Sequence, residues 1–493
     1  MIGLLLQDFL VLPSFQLALF LTLGTSVAAA FLRRKNSLAE YPVINGRRKW
    51  EFSDTNAKKR FAGNAKDLII EGFSKSSEGF QLLTDSGMVV VLPAKYADAI
   101  KDNKDLSFGR MLQKILTEID SMSVRLSYLD RLTEPVSEET VNALQKNWTD
   151  DEEWHDINTN ASVLQIAAQI SSRVFLGDQL CRDPNWLRIT INYTVDAITG
   201  ALALRLWPSF VRPAIHWFLP YCQKIRKHLA EGRAIINPVL EKRRSERHTA
   251  AAKGNVAEKH LDAMQWLEDV AKGRKYDPVT AQVMMSLAAI HTLSDALTQV
   301  LHDLCQHPEL IQSLREEIRS VVHEHGWQKS TLYNLKLMDS VLKESQRLKP
   351  AALVTLRREA LRATCLPDGT PIPRGTTVMI SGHQMWDSSV YPNAQEFDGS
   401  RFLKMRKQTG KEYTAQLVST SPEHLGFGYG KAACPGRFFA AKELKITLCH
   451  ILTRYDIKLA AGSKPQAFTH GFFFVADPVA KLAIRRCRSE AEL

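Results

Sequence analysis

Paired cysteines are the first thing missing from this 493-residue chain: it has seven, an odd number, and no C-x-x-C. Such spacing supports neither a disulfide framework nor a zinc site, and a reducing, cytosol-facing environment fits it best. No Gly-rich dinucleotide fingerprint occurs, so a nicotinamide cofactor has no site of its own here. No basic run is interleaved with aromatics, which removes the stacking platform of a single-strand binder and argues against nucleic acid as a partner. Linkers rich in Pro, Gly or Ser are absent, as are internal repeats, so the length does not break into several domains. Hydrophobic residues make up 45%, enough for one large core. The chain is basic, with 64 Lys and Arg against 53 Asp and Glu and a net charge of +11, which favours an acidic protein partner or an anionic lipid surface.

Charge is also absent from Leu10 to Leu32, and Arg33, Arg34 and Lys35 follow at once. About twenty apolar residues span a bilayer. The basic cluster stays on the cytoplasmic side and places the rest of the chain there. A cleaved signal peptide is the rival reading, and Ala28 to Ala30 resemble a small-residue cleavage site. The charges nevertheless follow the apolar run, and the cysteines do not fit secretion. The expectation is a membrane anchor over 1–35 and one large, mostly helical domain over 36–493.

The most specific pattern is FGYGKAACPG, Phe427 to Gly436. A lone cysteine is usually structural, but here each fixed position suits a thiolate ligand to haem iron. Cys434 supplies a sulfur that pushes electron density onto iron and favours O–O cleavage. Gly430 and Gly436 let backbone approach a flat macrocycle, Pro435 fixes φ beside the ligand, and Phe427 shields the sulfur from water. Upstream, Leu337, Met338, Val341 and Leu342 mark a helix facing a core, carrying Glu344 and Arg347 three apart on one face. Arg401, in EFDGSRF, is a third candidate: a buried carboxylate between two guanidiniums would lock this irregular stretch. Asp277 and Pro278 form an N-cap and first-turn pair, and no Gly or Pro interrupts the chain until Pro308, so one long helix is expected there.

On these residues the chain resembles the cytochrome P-450 superfamily, specifically its fungal membrane-bound members, over about residues 40 to 493. The resemblance implies a mainly α fold with small β-sheets, a single haem domain behind an N-terminal transmembrane helix. It implies haem b with Cys434 as proximal ligand, a structural triad of Glu344, Arg347 and Arg401, and an oxygen-binding groove in AAIHTL, Ala288 to Leu293. Thr292 matches the threonine that helps deliver protons. His291 stands where an acid is common; it is either a proton relay, since imidazole titrates near neutral pH, or a residue that bonds a carbonyl across the groove. Leu293 replaces a second polar residue often found there.

Two residues before the thiolate the family usually has Arg or His for a haem propionate, and this chain has Ala432. The propionates must lean on other cations: Arg358 first, Arg357 as its register alternative, then Arg125 and Arg131. The W-x-x-x-R contact is not evident, because Glu152 follows Trp148 and Asn158 follows Trp154 at that spacing. Haem is therefore expected to be held mainly by the thiolate and packing.

Lys431, Arg437 and Lys442 flank the thiolate loop and would steer an acidic flavoprotein to it. The resemblance names NADPH–cytochrome P-450 reductase, with cytochrome b5 as a second donor, and places the protein at the endoplasmic reticulum membrane in contact with lipid. By family order, Trp207, Phe210, Trp217 and Phe218, the stretch Ala351 to Val354, and Phe472 to Phe474 line the substrate pocket or serve as ordinary core. The implied activity is a haem-thiolate monooxygenase oxidising C–H bonds of a lipophilic small molecule, with a terpenoid, meroterpenoid or indole-diterpene intermediate of fungal secondary metabolism leading. Polyketide or fatty-acyl oxidation, a same-fold isomerase or dehydratase, and a non-catalytic haem protein are the alternatives.

Overall fold

The computed structural model describes residues 41–108, 131–205 and 210–487, together with 38 and 207. The apolar segment from Leu10 to Leu32, its basic flank and Arg125 lie outside the described residues. Among the described residues no helix is long and apolar enough to cross a membrane. They fall into two compact units, one within 1–109 and 356–381, the other within 110–355 and 382–493.

The first unit is built on a six-stranded sheet in the order Val43–Ile44, Phe80–Thr84, Gly87–Leu92, Thr377–Ser381, Val354–Ala360, Leu106–Ser107. Helix α1 (Thr55–Lys75) buries Phe61, Ala65, Ile69 and Gly72. Gly72 has to be glycine, because a Cβ there would sit 2.3 Å from the Phe80 ring. A short α2 (Ala97–Lys101) follows. Period-2 alternation in Val354–Ala360 turns Leu356, Arg358 and Ala360 inward and leaves Arg357 and Glu359 exposed.

The second unit is helical. Its elements are α3 (Thr133–Trp148), α4 (Thr159–Leu176), α5 (Pro184–Arg205), α6 (Arg212–Ile215), α7 (Pro220–Ala252), α8 (Ala263–Ala271), α9 (Pro278–Gln306), α10 (Pro308–His325), α11 (Lys329–Asn334), α12 (Lys336–Leu348), α13 (Arg401–Arg406) and α14 (Arg437–Arg454). The long helix expected after Asp277 is α9. Asp277 caps it by accepting from the N–H of Val279 at 3.1 Å, Pro278 opens its first turn, and it stops before Pro308. It runs through the core against α4, α5, α7 and α12. Close approach of α7 is allowed by Gly232, where a Cβ would lie 2.8 Å from Val279 Cγ1. A three-stranded antiparallel sheet (Tyr455–Leu459, Lys481–Arg486, His155–Asn158) and the hairpin Phe468–His470 with Phe473–Val475 complete this unit.

Candidate functional site

The loop Phe427 to Gly436 is folded by its own backbone. The Cys434 N–H donates to Phe427 O at 2.7 Å, the Ala433 N–H to Gly430 O at 3.0 Å, and the Gly428 N–H to Leu425 O at 2.8 Å. Gly428 and Gly430 take φ of 72° and 70°, which a side chain would strain. Gly436, at φ −82°, is not held by that need; it caps α14, and a Cβ there would stand 4.0 Å from Cys434 Sγ.

Cys434 is half-buried at the N-terminus of α14, where the helix dipole favours a thiolate. Burial pushes its pKa up, while the backbone N–H groups of Gly436 and Arg437 and the Arg437 charge pull it back. Arg437 Nη1 donates to Cys434 O at 2.9 Å and its guanidinium lies 4.5 Å from the Phe438 ring centre. Its buried Nε has no acceptor among the described residues.

Glu344, Arg347 and Arg401 form a carboxylate–guanidinium cluster. Glu344 and Arg347 are both fully buried. Arg347 grips the carboxylate with Nε and Nη2, each at 2.8 Å, and Arg401 Nε reaches Oε1 at 3.0 Å. The remaining guanidinium donors take carbonyls of the irregular segment: Met385, Ala394 and Glu396 for Arg347, Pro392 and Glu396 for Arg401. Each buried charge is thus paired and hydrogen-bonded, the only way such charges are tolerated.

On α9, Ala288 and Thr292 are exposed in the middle of a helix whose other faces are closed by the core. Thr292 Oγ1 donates back to Ala288 O at 2.9 Å or Ala289 O at 3.1 Å, which leaves its lone pairs open. His291 turns away: its Nε2 is 3.0 Å from Ile191 O on α5, and burial lowers its pKa. One turn on, Asp295 accepts the Ala476 N–H at 2.7 Å, tying α9 to the end of the C-terminal hairpin. That hairpin also bonds the stretch after α12, through the Leu353 N–H to Phe472 O at 2.8 Å and the Phe474 N–H to Ala351 O at 3.3 Å. Nothing in the local sequence marks the Asp295 link, since its partner is a backbone amide far along the chain.

The residues fit a haem-thiolate site. The donor set is a sulfur supported by two amide N–H groups, and α9 offers a small-residue face ending in a hydroxyl. Comparison with known proteins decides the family. The cytochrome P-450 family profile matches residues 110–482. The chain is 47% identical to cytochrome P-450 monooxygenase adrA of Penicillium rubens, over 92% of this chain and 93% of that one. It is 44% identical to cytochrome P-450 monooxygenase ptmU of Penicillium ochrochloron (92% and 94%) and 42% to cytochrome P-450 monooxygenase esdpI of Penicillium shearii (96% and 97%). The chain belongs to the cytochrome P-450 family. It is a monooxygenase by that membership, and the cofactor of the family is haem on a cysteine thiolate, supplied with electrons by a redox partner.

Within this cytochrome P-450, the other candidates are placed as follows. Arg358 is buried in the first unit, its Nη1 2.9 Å from Arg357 O and its guanidinium 5.3 Å from the Phe108 ring centre. Arg357 and Arg131 are exposed. Ala432 ends a single 3-10 turn, Gly430–Ala432. Of the three cations flanking the loop, Lys431 is exposed and Arg437 half-buried, but Lys442 is buried at 8% exposure and adds little to a docking surface. Trp207, Phe210, Trp217, Phe218 and Phe473 are exposed, and Phe474 is buried.

Proposed function

We propose that this chain is a microsomal haem-thiolate monooxygenase that oxidises a C–H bond of a largely neutral, lipophilic small molecule. The leading substrate class is a terpenoid, meroterpenoid or indole-diterpene intermediate of fungal secondary metabolism; the likeness to fungal monooxygenases supports this. The observation that carries the reading is Cys434, half-buried at the start of α14 with two amide N–H groups on its sulfur. When bound, haem on a thiolate supplies reductive activation of dioxygen and transfer of one oxygen atom to carbon.

The chain's own residues then have separable tasks. Cys434, held by its N–H to Phe427 O, presents the sulfur, and Phe427 packs against the core beside it. Glu344, Arg347 and Arg401 fix the irregular segment that precedes α13. Thr292 Oγ1 points its hydroxyl hydrogen at a carbonyl of its own helix; rotation about χ1 would turn that O–H into the groove to donate there. His291, neutral and tied to Ile191, fits groove structure better than proton relay. Arg358 remains the first cation proposed for a propionate, with Arg131 a weaker one.

NADPH–cytochrome P-450 reductase delivers the electrons, with cytochrome b5 as a second donor. Residues 1–35 hold the chain in the endoplasmic reticulum membrane with the catalytic domain of 36–493 in the cytosol. Carbonate extraction of full-length protein and of residues 36–493 tests that anchor, which fails if both partition alike.

The reduced protein with carbon monoxide, wild type against Cys434→Ala, tests the function. A red-shifted thiolate-type band lost in the variant supports the reading. A histidine-type band in wild type, or a thiolate band surviving in the variant, ends it.

A further inference from the structure

The segment 414–419 has no ladder or helix to satisfy its backbone, yet Ala415 and Leu417 are buried and four of its backbone groups are met by side chains of α12. We propose that Lys343 and Asp339, one turn apart on α12, are positioning residues that grip this segment and thereby hold the thiolate loop that follows it. The inference rests on reading Cys434 as the haem ligand.

Lys343 is 1% exposed. Its Nζ donates to three carbonyls, Gln416 O at 2.6 Å, Ser419 O at 3.0 Å and Thr414 O at 3.1 Å, and stands 5.2 Å from the Phe402 ring centre. Three acceptors need three N–H groups. The ammonium has three and the neutral amine two, so the complete grip belongs to the charged form; a neutral Lys343 can hold only two of the three carbonyls, Gln416 O keeping the Ser419 N–H as a second donor. Asp339 takes the complementary group, accepting the Leu417 N–H on Oδ2 at 2.8 Å. Its Oδ1 meets Lys445 Nζ at 2.6 Å, and Lys445 lies on α14, the helix that begins just after Cys434. The side chains of α12 thus connect the segment before the thiolate loop to the helix after it. Between the segment and the loop, His424 and Leu425 are buried, so a shift at 419 is not absorbed by free chain.

The charges around Lys343 are unbalanced. Asp339 is the anion, Arg406 of α13 lies 3.4 Å from it and Lys445 2.6 Å, and the neutral ring of His424 stands 3.4 Å from Lys343 O. Burial pushes Lys343 down to about 7, Arg406 pushes the same way and Asp339 opposes. Its folded pKa lies below its unfolded value, so losing the proton as pH rises relieves buried charge. Global stability does not fall on that account. What loosens is local, and a melting temperature is not the readout.

The test uses full-length, haem-loaded protein and two measurements. These are protection of residues 407–426 from protease and hydrogen exchange, and the thiolate share of the reduced carbon-monoxide spectrum as a function of pH. Lys343→Met should speed cleavage and exchange in 407–426 about tenfold, as the loss of one or two net hydrogen bonds would. It should also lower the thiolate share and abolish its dependence on pH. Lys343→Gln, with two N–H groups, should fall between. Wild type should lose thiolate share on the alkaline side of neutrality, and Arg406→Gln should move that loss to higher pH. Wild-type protection and spectrum in Lys343→Met overturn the proposal. If that variant does not fold, wild type decides: exchange in 407–426, corrected for intrinsic rates, that does not rise from neutral to alkaline pH also overturns it. Cys434→Ala separates the two readings, for it should lose the thiolate band while 407–426 stays protected. A thiolate band surviving there sinks the ligand assignment instead.

Discussion

At the scale of single residues, burial decides which side chains hold the protein together and which are free to act. Glu344 and Arg347 are wholly buried and every charge on them is met, so neutralising one partner is costly. Glu344→Gln leaves two guanidiniums facing an amide and should lower unfolding stability by about 3–5 kcal/mol, read as an earlier denaturant midpoint and loss of haem during purification. Thr292 is the opposite case. Among the described residues its hydroxyl bonds only carbonyls of its own turn, so the near-isosteric Thr292→Val should leave the melting temperature unchanged. It should nevertheless cut product formed per NADPH by roughly 10²-fold, the usual worth of a positioned proton donor, with peroxide released instead. Equal coupling in wild type and variant would remove Thr292 from the proton path.

At the scale of elements, the crossing of α7 over the start of α9 gives the sharpest expectation. Val279 is β-branched and stiff, and a methyl on Gly232 would lie 2.8 Å from its Cγ1. Gly232→Ala should therefore destabilise by about 1–3 kcal/mol although alanine is the better helix former. The paired Gly232→Ala, Val279→Ala variant should recover part of that loss in a thermal melt; no recovery would place the strain elsewhere. The elements legible in the sequence are those whose signals are local. Asp277–Pro278 marked the start of α9, three-residue spacing put Glu344 beside Arg347, and the fixed glycines outlined the loop of Cys434. What stayed illegible depends on partners without a side-chain signature. Lys343 grips three carbonyls some seventy residues away. Asp295 takes an amide at 476, and nothing in either local sequence marks them. Lys442 read as a surface cation because charge patterning does not say which face of α14 turns inward.

At the scale of the whole molecule, buried imidazoles set the response to acid. Burial lowers His302 and His383 to about 4 and His450 to about 3, and drives His424 well below its ordinary value. His450 illustrates the cause: its Nε2 shares a hydrogen bond with Ser137 Oγ at 2.7 Å, its ring stacks on Trp327 at 4.9 Å, and its Nδ1 is buried with no partner among the described residues to accept a second ring proton. A depressed folded pKa means the unfolded chain binds the proton first. Stability from these groups is complete above their unfolded value near 6.5 and drains as pH falls toward 4. Each contributes about 1.4 kcal/mol per pH unit inside that window. Glu443 works against them. It is buried on α14 with Ser171 Oγ donating to it at 3.0 Å and its pKa raised to about 8, so the folded state holds that proton first and gains as pH falls from 8 to its unfolded value of 4.5. Burial also raises Asp295 and Glu317, which act with Glu443, while buried His291 adds to the imidazoles. The imidazoles outnumber these acids, so the denaturant midpoint should fall between neutral pH and pH ~5 with a net uptake of about two protons on unfolding. His450→Gln, whose amide keeps a partner for Ser137, should reduce that uptake by one; an unchanged slope would mean that His450 is not neutral in the folded protein.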